Sequence, residues 1–276
     1  MAFFASIFGY LLNFLYEIFK NYGIAIIVFS IVLKLLLLPL SIKQQKTLKK
    51  SAKLQEEVKK IQNNYSNNPE KMNQEMMSLY KRENMSPFSG CLSSIIQIVL
   101  LFSVFYLVRS PLTYMKKVDN NLIEEYTQEI IQTEGNSKTA YPEIQIIKEK
   151  GTEDERVNIN MEFLGLDLSS IPTSNANDWK VYIIPALYVI SSFISIKITT
   201  NMQMKNNKKE DGKEEKNELD TIMNTNKTMS YMMPILSISI AIVAPLGLAL
   251  YWLVNNILMT GERLILNKVM DKEQEE

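Results

Sequence analysis

The sequence predicts an all-α integral membrane protein: five transmembrane helices, an N-terminal interfacial helix and a cytoplasmic helical hairpin. Three observations carry that expectation. The apolar residues, 46% of 276, are gathered into blocks instead of being spread as in a globular core. The first strong block, Tyr22 to Ile42, has 21 residues, close to what a helix rising ~1.5 Å per residue needs to cross a ~30 Å hydrocarbon layer. It is followed at once by KQQKTLKKSAK, whose lysines mark the inner side of a membrane.

Composition narrows the function classes. With no histidine and one cysteine, Cys91, disulfide frameworks, Cys/His zinc sites and Ser-His-Asp chemistry are all excluded. No enzyme class and no cofactor is suggested. A net charge of zero argues against nucleic-acid binding by bulk electrostatics, so no sequence-specific nucleic acid is expected as a partner, and attention turns to where the charges lie.

Residues 1–20 lack the basic start of a signal peptide, and Asn13, Glu17 and Lys20 interrupt their apolar run. Phe4, Phe8, Leu11, Leu15 and Ile18 recur at helical spacing, which predicts a helix lying in the headgroup plane; an uncleaved extra span is the alternative. The first span, 21–42, carries one ionisable residue, Lys34, whose burial in lipid costs roughly 2.5–3.5 kcal/mol. Residues 43–86 hold ten Lys/Arg against five Glu and form the hairpin. Leu54, Val58 and Ile61 share one helical face, as do Met72, Met76 and Leu79, with Met77 beside them. NNYSNNPE supplies the turn, with Asn68 as N-cap and Pro69 at the first helical position.

Ser86-Pro87 opens a second span, 87–108, in which Ser93, Ser94 and Gln97 lie three or four residues apart. Residues 109–178 are expected outside; from Ser110 to Asp178 they hold six Lys/Arg against thirteen Asp/Glu, and short, partly ordered elements are expected there, not a large domain. The third span, 179–200, begins with an interfacial Trp179 and carries Ser191, Ser195 and Thr199. Residues 201–228 are a charged cytoplasmic loop. Ala244-Pro245 divides the last apolar block into a short fourth span, 229–243, and a fifth, 244–266, leaving a cytoplasmic tail 267–276. A ~15-residue span reaches only ~22 Å, so the bilayer around it must thin.

The intramembrane polar groups recur on several helices: Lys34; Ser93, Ser94 and Gln97; Ser191 and Ser195; Trp252, Asn255 and Asn256, with Thr260. Such groups face a bundle interior or a water-filled cavity, or glue helices by hydrogen bonds. Lys34 either snorkels to the cytoplasmic headgroups or stands in a hydrated cavity as a fixed charge. The methionines of the hairpin and those at Met202, Met204, Met223, Met229, Met232 and Met233 suit a surface that meets varied apolar partners, though gap-filling explains them about as well.

Lys34 with LLLLPLSIKQQK, the stretch Asn73 to Leu100, the entry DWKVYIIPALY, and YMMPI followed by APLGLALYWLVNNIL make the chain resemble the YidC membrane protein insertase family of the Oxa superfamily. The resemblance covers nearly everything but the outer and the charged inner loops. It implies a hydrophilic groove open to the cytoplasm and to lipid but closed outside, a positive residue on the first helix, and a hairpin that receives substrates. Many members have arginine where this chain has Lys34, and Asn-Pro where it has Ser86-Pro87. Lysine keeps the charge but loses the fork geometry of arginine, so a purely electrostatic role is what survives. The absence of a large outer domain resembles the Gram-positive bacterial form.

The resemblance implies insertion of newly made membrane proteins through a charged groove, in a bacterial cytoplasmic membrane, with the N-terminus outside and the C-terminus inside. The implied partners are nascent membrane proteins and lipids, with the ribosome and the Sec translocon as further candidates. A small-solute transporter or channel is the rival reading, opposed by the lack of inverted repeats and of a paired acidic residue for ion coupling. A structural scaffold would leave Lys34 and the hairpin unused.

Overall fold

A computed structural model describes residues 2–84, 89–133, 140–208 and 239–272. The Ser86-Pro87 entry, most of the short fourth span and most of the charged loop lie outside the described residues, as do Met223, Met229, Met232 and Met233. The chain divides into two compact units, Met1–Leu33 with Ser103–Glu262 and Lys34–Phe102 with Arg263–Glu276.

The protein is an all-α membrane protein; the one sheet among the described residues is a hairpin of two residues per strand. Among the described residues, three helical stretches are long and apolar enough to cross a membrane: Ala2–Phe19, Tyr22–Thr47 and Trp179–Asn201.

In the first unit, helix α1 (Ala2–Phe19) packs on a π-helical turn, Leu112–Lys116. Its inward face is Ala5, Gly9, Leu12 and Tyr16, while Phe3, Ile7, Tyr10, Phe14 and Ile18 are exposed. The expected apolar stripe is therefore split: Leu15 is buried, whereas Phe4 and Ile18 face outward. On a helix apolar all round, small residues decide the contact because they let backbones approach. Gly9 is the closest point, where an added Cβ would stand 1.8 Å from the Tyr114 carbonyl oxygen.

Helix α2 (Tyr22–Asn64) starts at a corner where Lys20 takes a left-handed φ of 49° and the Asn21 side chain accepts from the Ile24 amide at 3.1 Å. Tyr22, Ala25, Ile26, Phe29 and Leu33 are buried along one stripe. Between Lys117 and Tyr182, the segment expected to hold short elements folds into α5 (Asn120–Thr133), α6 (Pro142–Lys150) and the hairpin β1 (Glu162–Phe163) with β2 (Leu166–Asp167). The hairpin's two-residue loop, Leu164-Gly165, has φ of 52° and 75°, the left-handed pair that matches the twist of the strands.

This segment stitches helix ends together. Asn160 accepts from the Tyr22 amide at 3.0 Å through its carbonyl and donates its own amide to the Tyr16 hydroxyl at 2.8 Å. Phe163 lies where Gly23 leaves room for its ring. The carbonyls of Ser170 and Leu168 accept from the Leu246 and Gly247 amides at 2.9 and 3.0 Å, satisfying two of the open donors at the start of helix α8 (Leu246–Lys272). Glu143, 5% exposed, takes the Thr113 amide and hydroxyl at 2.9 and 2.7 Å. Burial pushes its carboxyl above the usual range, and the Thr113 bonds pull part of the way back.

Helix α7 (Ile183–Lys208) is preceded by a 3-10 turn, Trp179–Tyr182, capped by Asp178. The α-helix thus begins four residues after the interfacial tryptophan. In the second unit, α2 continues without interruption from the apolar run into the basic run, and α3 (Pro69–Arg82) folds back beside it. Asn68 caps α3 by accepting from the Lys71 amide at 3.1 Å, with Pro69 at the first position. Leu54 and Leu79 are buried, Val58, Met72 and Met76 half-buried and Met77 exposed. Arg82 pairs with Glu57 across the two helices. Helix α4 (Ser89–Arg109) follows.

Candidate functional site

Lys34 belongs to the second unit, the same unit as the α2–α3 hairpin. It is half-buried together with Leu37 and Leu38, three and four residues on, while Leu35 and Leu36 are exposed. The charge therefore sits on the side of the helix turned away from its most exposed leucines. Five residues later Pro39 removes the amide that would bond the Leu35 carbonyl. Ser93, Ser94 and Gln97 lie on α4, and their side chains are outside the described residues.

In the first unit, α7 and α8 are joined by a polar ladder. Asn256 donates to the Ser192 hydroxyl at 2.8 Å. Thr260 bonds the Ser195 hydroxyl at 2.8 Å and the Asn256 carbonyl at 2.8 Å. Ser192 and Ser195 are buried. Ser191 instead returns its hydroxyl to the Tyr188 carbonyl of its own helix at 2.8 Å and is half-buried. Ser192 is the residue that the sequence pattern passed over. Its signal was present, since it stands three residues before Ser195, but a helix with serines at 191, 192 and 195 offers two such faces and the pattern does not choose between them.

Trp252, Asn255 and Asn256 share one side of α8, and all three are half-buried. The Trp252 ring lies 5.9 Å from that of Tyr188, and its indole N–H is buried with no acceptor among the described residues. A buried donor of this kind is satisfied by an ordered water or an incoming carbonyl.

The ladder has a measurable weight. Asn256→Ala and Ser192→Ala are each expected to lower stability in detergent, with a coupling near the ~0.6 kcal/mol average of interhelical bonds in membranes. A double-mutant cycle by thermal unfolding checks it; strict additivity would mean that the bond does not hold the helices together.

The family model described as 60Kd inner membrane protein matches residues 14–274. The chain belongs to the 60Kd inner membrane protein family. Among relatives, a protein named Membrane protein insertase YidC from Treponema denticola is 26% identical over 263 residues, 95% of this chain and 37% of its own length. One of the same name from Caldanaerobacter subterraneus subsp. tengcongensis is 37% identical over 110 residues, 40% of this chain and 53% of its own. A third from Fusobacterium nucleatum subsp. nucleatum is 26% identical over 263 residues, 94% of this chain and 93% of its own. The chain thus spans about a third to a half of the first two relatives and nearly all of the third. Of the residues that carried the family resemblance, Lys34 and the 246–258 stretch fall within the matched region and within helices α2 and α8.

Proposed function

We propose that this member of the 60Kd inner membrane protein family is a membrane protein insertase. It moves short hydrophilic segments of newly made membrane proteins across the bilayer and releases their apolar helices sideways into lipid. One observation carries the reading furthest: a half-buried lysine in an apolar span and the basic first arm of the hairpin share a single helix, α2, with the methionine-bearing arm α3 folded back beside it in the same compact unit. A charge in a span is costly and marks a pathway. A hairpin with exposed Met77 and half-buried Met72 and Met76 suits capture of varied apolar segments.

In this mechanism the hairpin receives the substrate and Lys34 offsets the charge of its acidic segment. Ser93, Ser94 and Gln97 are assigned to the path on the family resemblance; within the first unit Trp252 and Asn255 belong to it, and the Ser192–Asn256 and Ser195–Thr260 bonds hold α7 to α8 there. No covalent step and no cofactor enters. The acidic segment 110–178 is placed outside, the hairpin and C-terminus inside, and α1 in the interface with its small-residue face on the protein.

Purified protein in liposomes, without nucleotide, is expected to insert a small single-span substrate, read as protease protection of the translocated segment. Adding ribosomes or the Sec translocon back then measures what those proposed partners contribute. Solute flux without insertion would replace this reading by a channel.

A further inference from the structure

Beside α1, residues of the π-helical turn, the start of α5 and the loop after α6 enclose a cleft of about 590 Å³ whose charged lining is Lys116, Lys117, Asp119, Glu125, Glu155 and Arg156. Nothing in the proposed insertion mechanism uses it. Some of these charges are already committed. Arg156 is held by Asp154 at 2.7 Å, Lys116 lies 3.6 Å from Glu17, and Asp119 accepts from the Asn121 amide at 2.8 Å. The others are outside any ion pair: Lys117 bonds the Ser6 hydroxyl but has no carboxylate partner among the described residues, and none of Asp119, Glu125 and Glu155 is in an ion pair there. The lining outside ion pairs is thus one cation and three anions, one of which, Asp119, already accepts an amide.

The cleft's depth relative to the bilayer follows from α1. Lys117 stands 4.5 Å over the Tyr10 ring and Lys116 5.2 Å over that of Tyr16. Tyr10 is 65% exposed, on the same bare apolar face as Phe3 and Phe14, which suits acyl chains. Tyrosine with one apolar and one wet end, beside lysine, marks the headgroup level. A purely anionic headgroup would satisfy Lys117 but meet Glu125 and Glu155. A ligand that carries a phosphate and an N–H-bearing ammonium satisfies all three.

We propose that this cleft binds the headgroup of a zwitterionic aminophospholipid, its phosphate on Lys117 and its ammonium between Glu125 and Glu155. Primary-amine headgroups are favoured over quaternary ones because carboxylates accept hydrogen bonds from the former and only charge attraction from the latter. The site does not depend on the insertase reading.

The test is competitive lipid retention by the full chain in detergent, read by native mass spectrometry with phosphatidylethanolamine, phosphatidylcholine and phosphatidylglycerol. Phosphatidylethanolamine is expected to be retained roughly tenfold over the others, the margin of one good charge-assisted bond. Lys117→Asn, chosen because asparagine tolerates the left-handed φ of 56° at that position, should remove the preference, and so should Glu125→Gln with Glu155→Gln. Glu124→Gln, outside the cleft, should not. Free phosphoethanolamine should compete with the lipid. Equal retention of the three lipids, or an unchanged preference in both cleft variants, overturns the proposal. Binding of free phosphoethanolamine without selective lipid retention overturns the lipid source.

Discussion

Lys34→Ala is expected to lose most insertion of substrates whose translocated segment carries two or more acidic residues, and to keep insertion of uncharged ones. Lys34→Arg should be close to the parent, since the charge is kept and a guanidinium is less strongly hydrated. The physics is a fixed charge in a partly hydrated path. Two unit charges ~4 Å apart attract by about 4 kcal/mol at an effective dielectric near 20, and by less as water enters. Even a quarter of that is a fivefold effect for each acidic residue. Lys34 is half-buried and turned away from the exposed Leu35 and Leu36, and the proposed mechanism takes that side as the one facing the path; a lysine that snorkels along lipid would stand among the exposed leucines. The experiment is a matrix of Lys34 variants against substrates of graded acidity, scored by protease protection in liposomes. If Lys34→Ala inserts every substrate as well as the parent, the residue is an anchor and the charge mechanism is wrong.

The second large effect is structural. Gly9→Val should lower the unfolding temperature in detergent sharply and free α1 from the rest of its unit. The first added carbon already stands 1.8 Å from the Tyr114 carbonyl oxygen and 2.6 Å from its carbon, both backbone atoms that no rotamer change can move aside. Relief requires α1 to withdraw from Leu112 and Met115, which are buried at 0% and 1% exposure. Overpacking costs typically 1–3 kcal/mol and more where backbone must shift, so about 3 kcal/mol or above is expected here. Gly261→Ala is the matched control. Nothing lies within 4 Å of its added carbon, and an alanine inside a helix stabilises by roughly 0.5–1 kcal/mol over glycine. Equal unfolding temperatures for Gly9→Val and the parent would show that α1 is not anchored at this contact.

Much of the architecture was legible in local signals. The turn NNYSNNPE stands where the chain reverses between α2 and α3, because an asparagine cap and a proline at the first position are decided within four residues. Leu54 and Leu79, chosen by helical spacing alone, are both buried, the two buried positions of the hairpin among its described residues. What could not be read was the outcome of competition between elements. Residues 43–64 were separated from the first span because their composition changes at Lys43, yet α2 carries straight on, since polarity of the side chains does not interrupt a backbone helix. The strands β1 and β2, two residues each, have no periodicity to detect; they exist through Asn160, Phe163 and Leu168, which bond or pack against residues more than 70 positions away. At the candidate site, the polar stripe on α7 was visible but its direction was not. Ser192 rather than Ser191 meets α8, and that depends on how the two helices are rotated against each other.

The unbroken run of α2 has a mechanical meaning. From Lys34 to Asn64 the helix covers 31 residues, which at a rise of ~1.5 Å per residue is a strut of about 45 Å. Between its ends the only interruption of the hydrogen-bond ladder is at Pro39, next to the charge. A strut with its weakest joint at one end behaves as a crank: force applied at the far tip is delivered at the joint with little lost along the shaft. Under the proposed mechanism, a substrate that tugs on the hairpin would turn the helix at the level of Lys34, so that loading at one end is felt at the other before any part of the cargo has travelled between them.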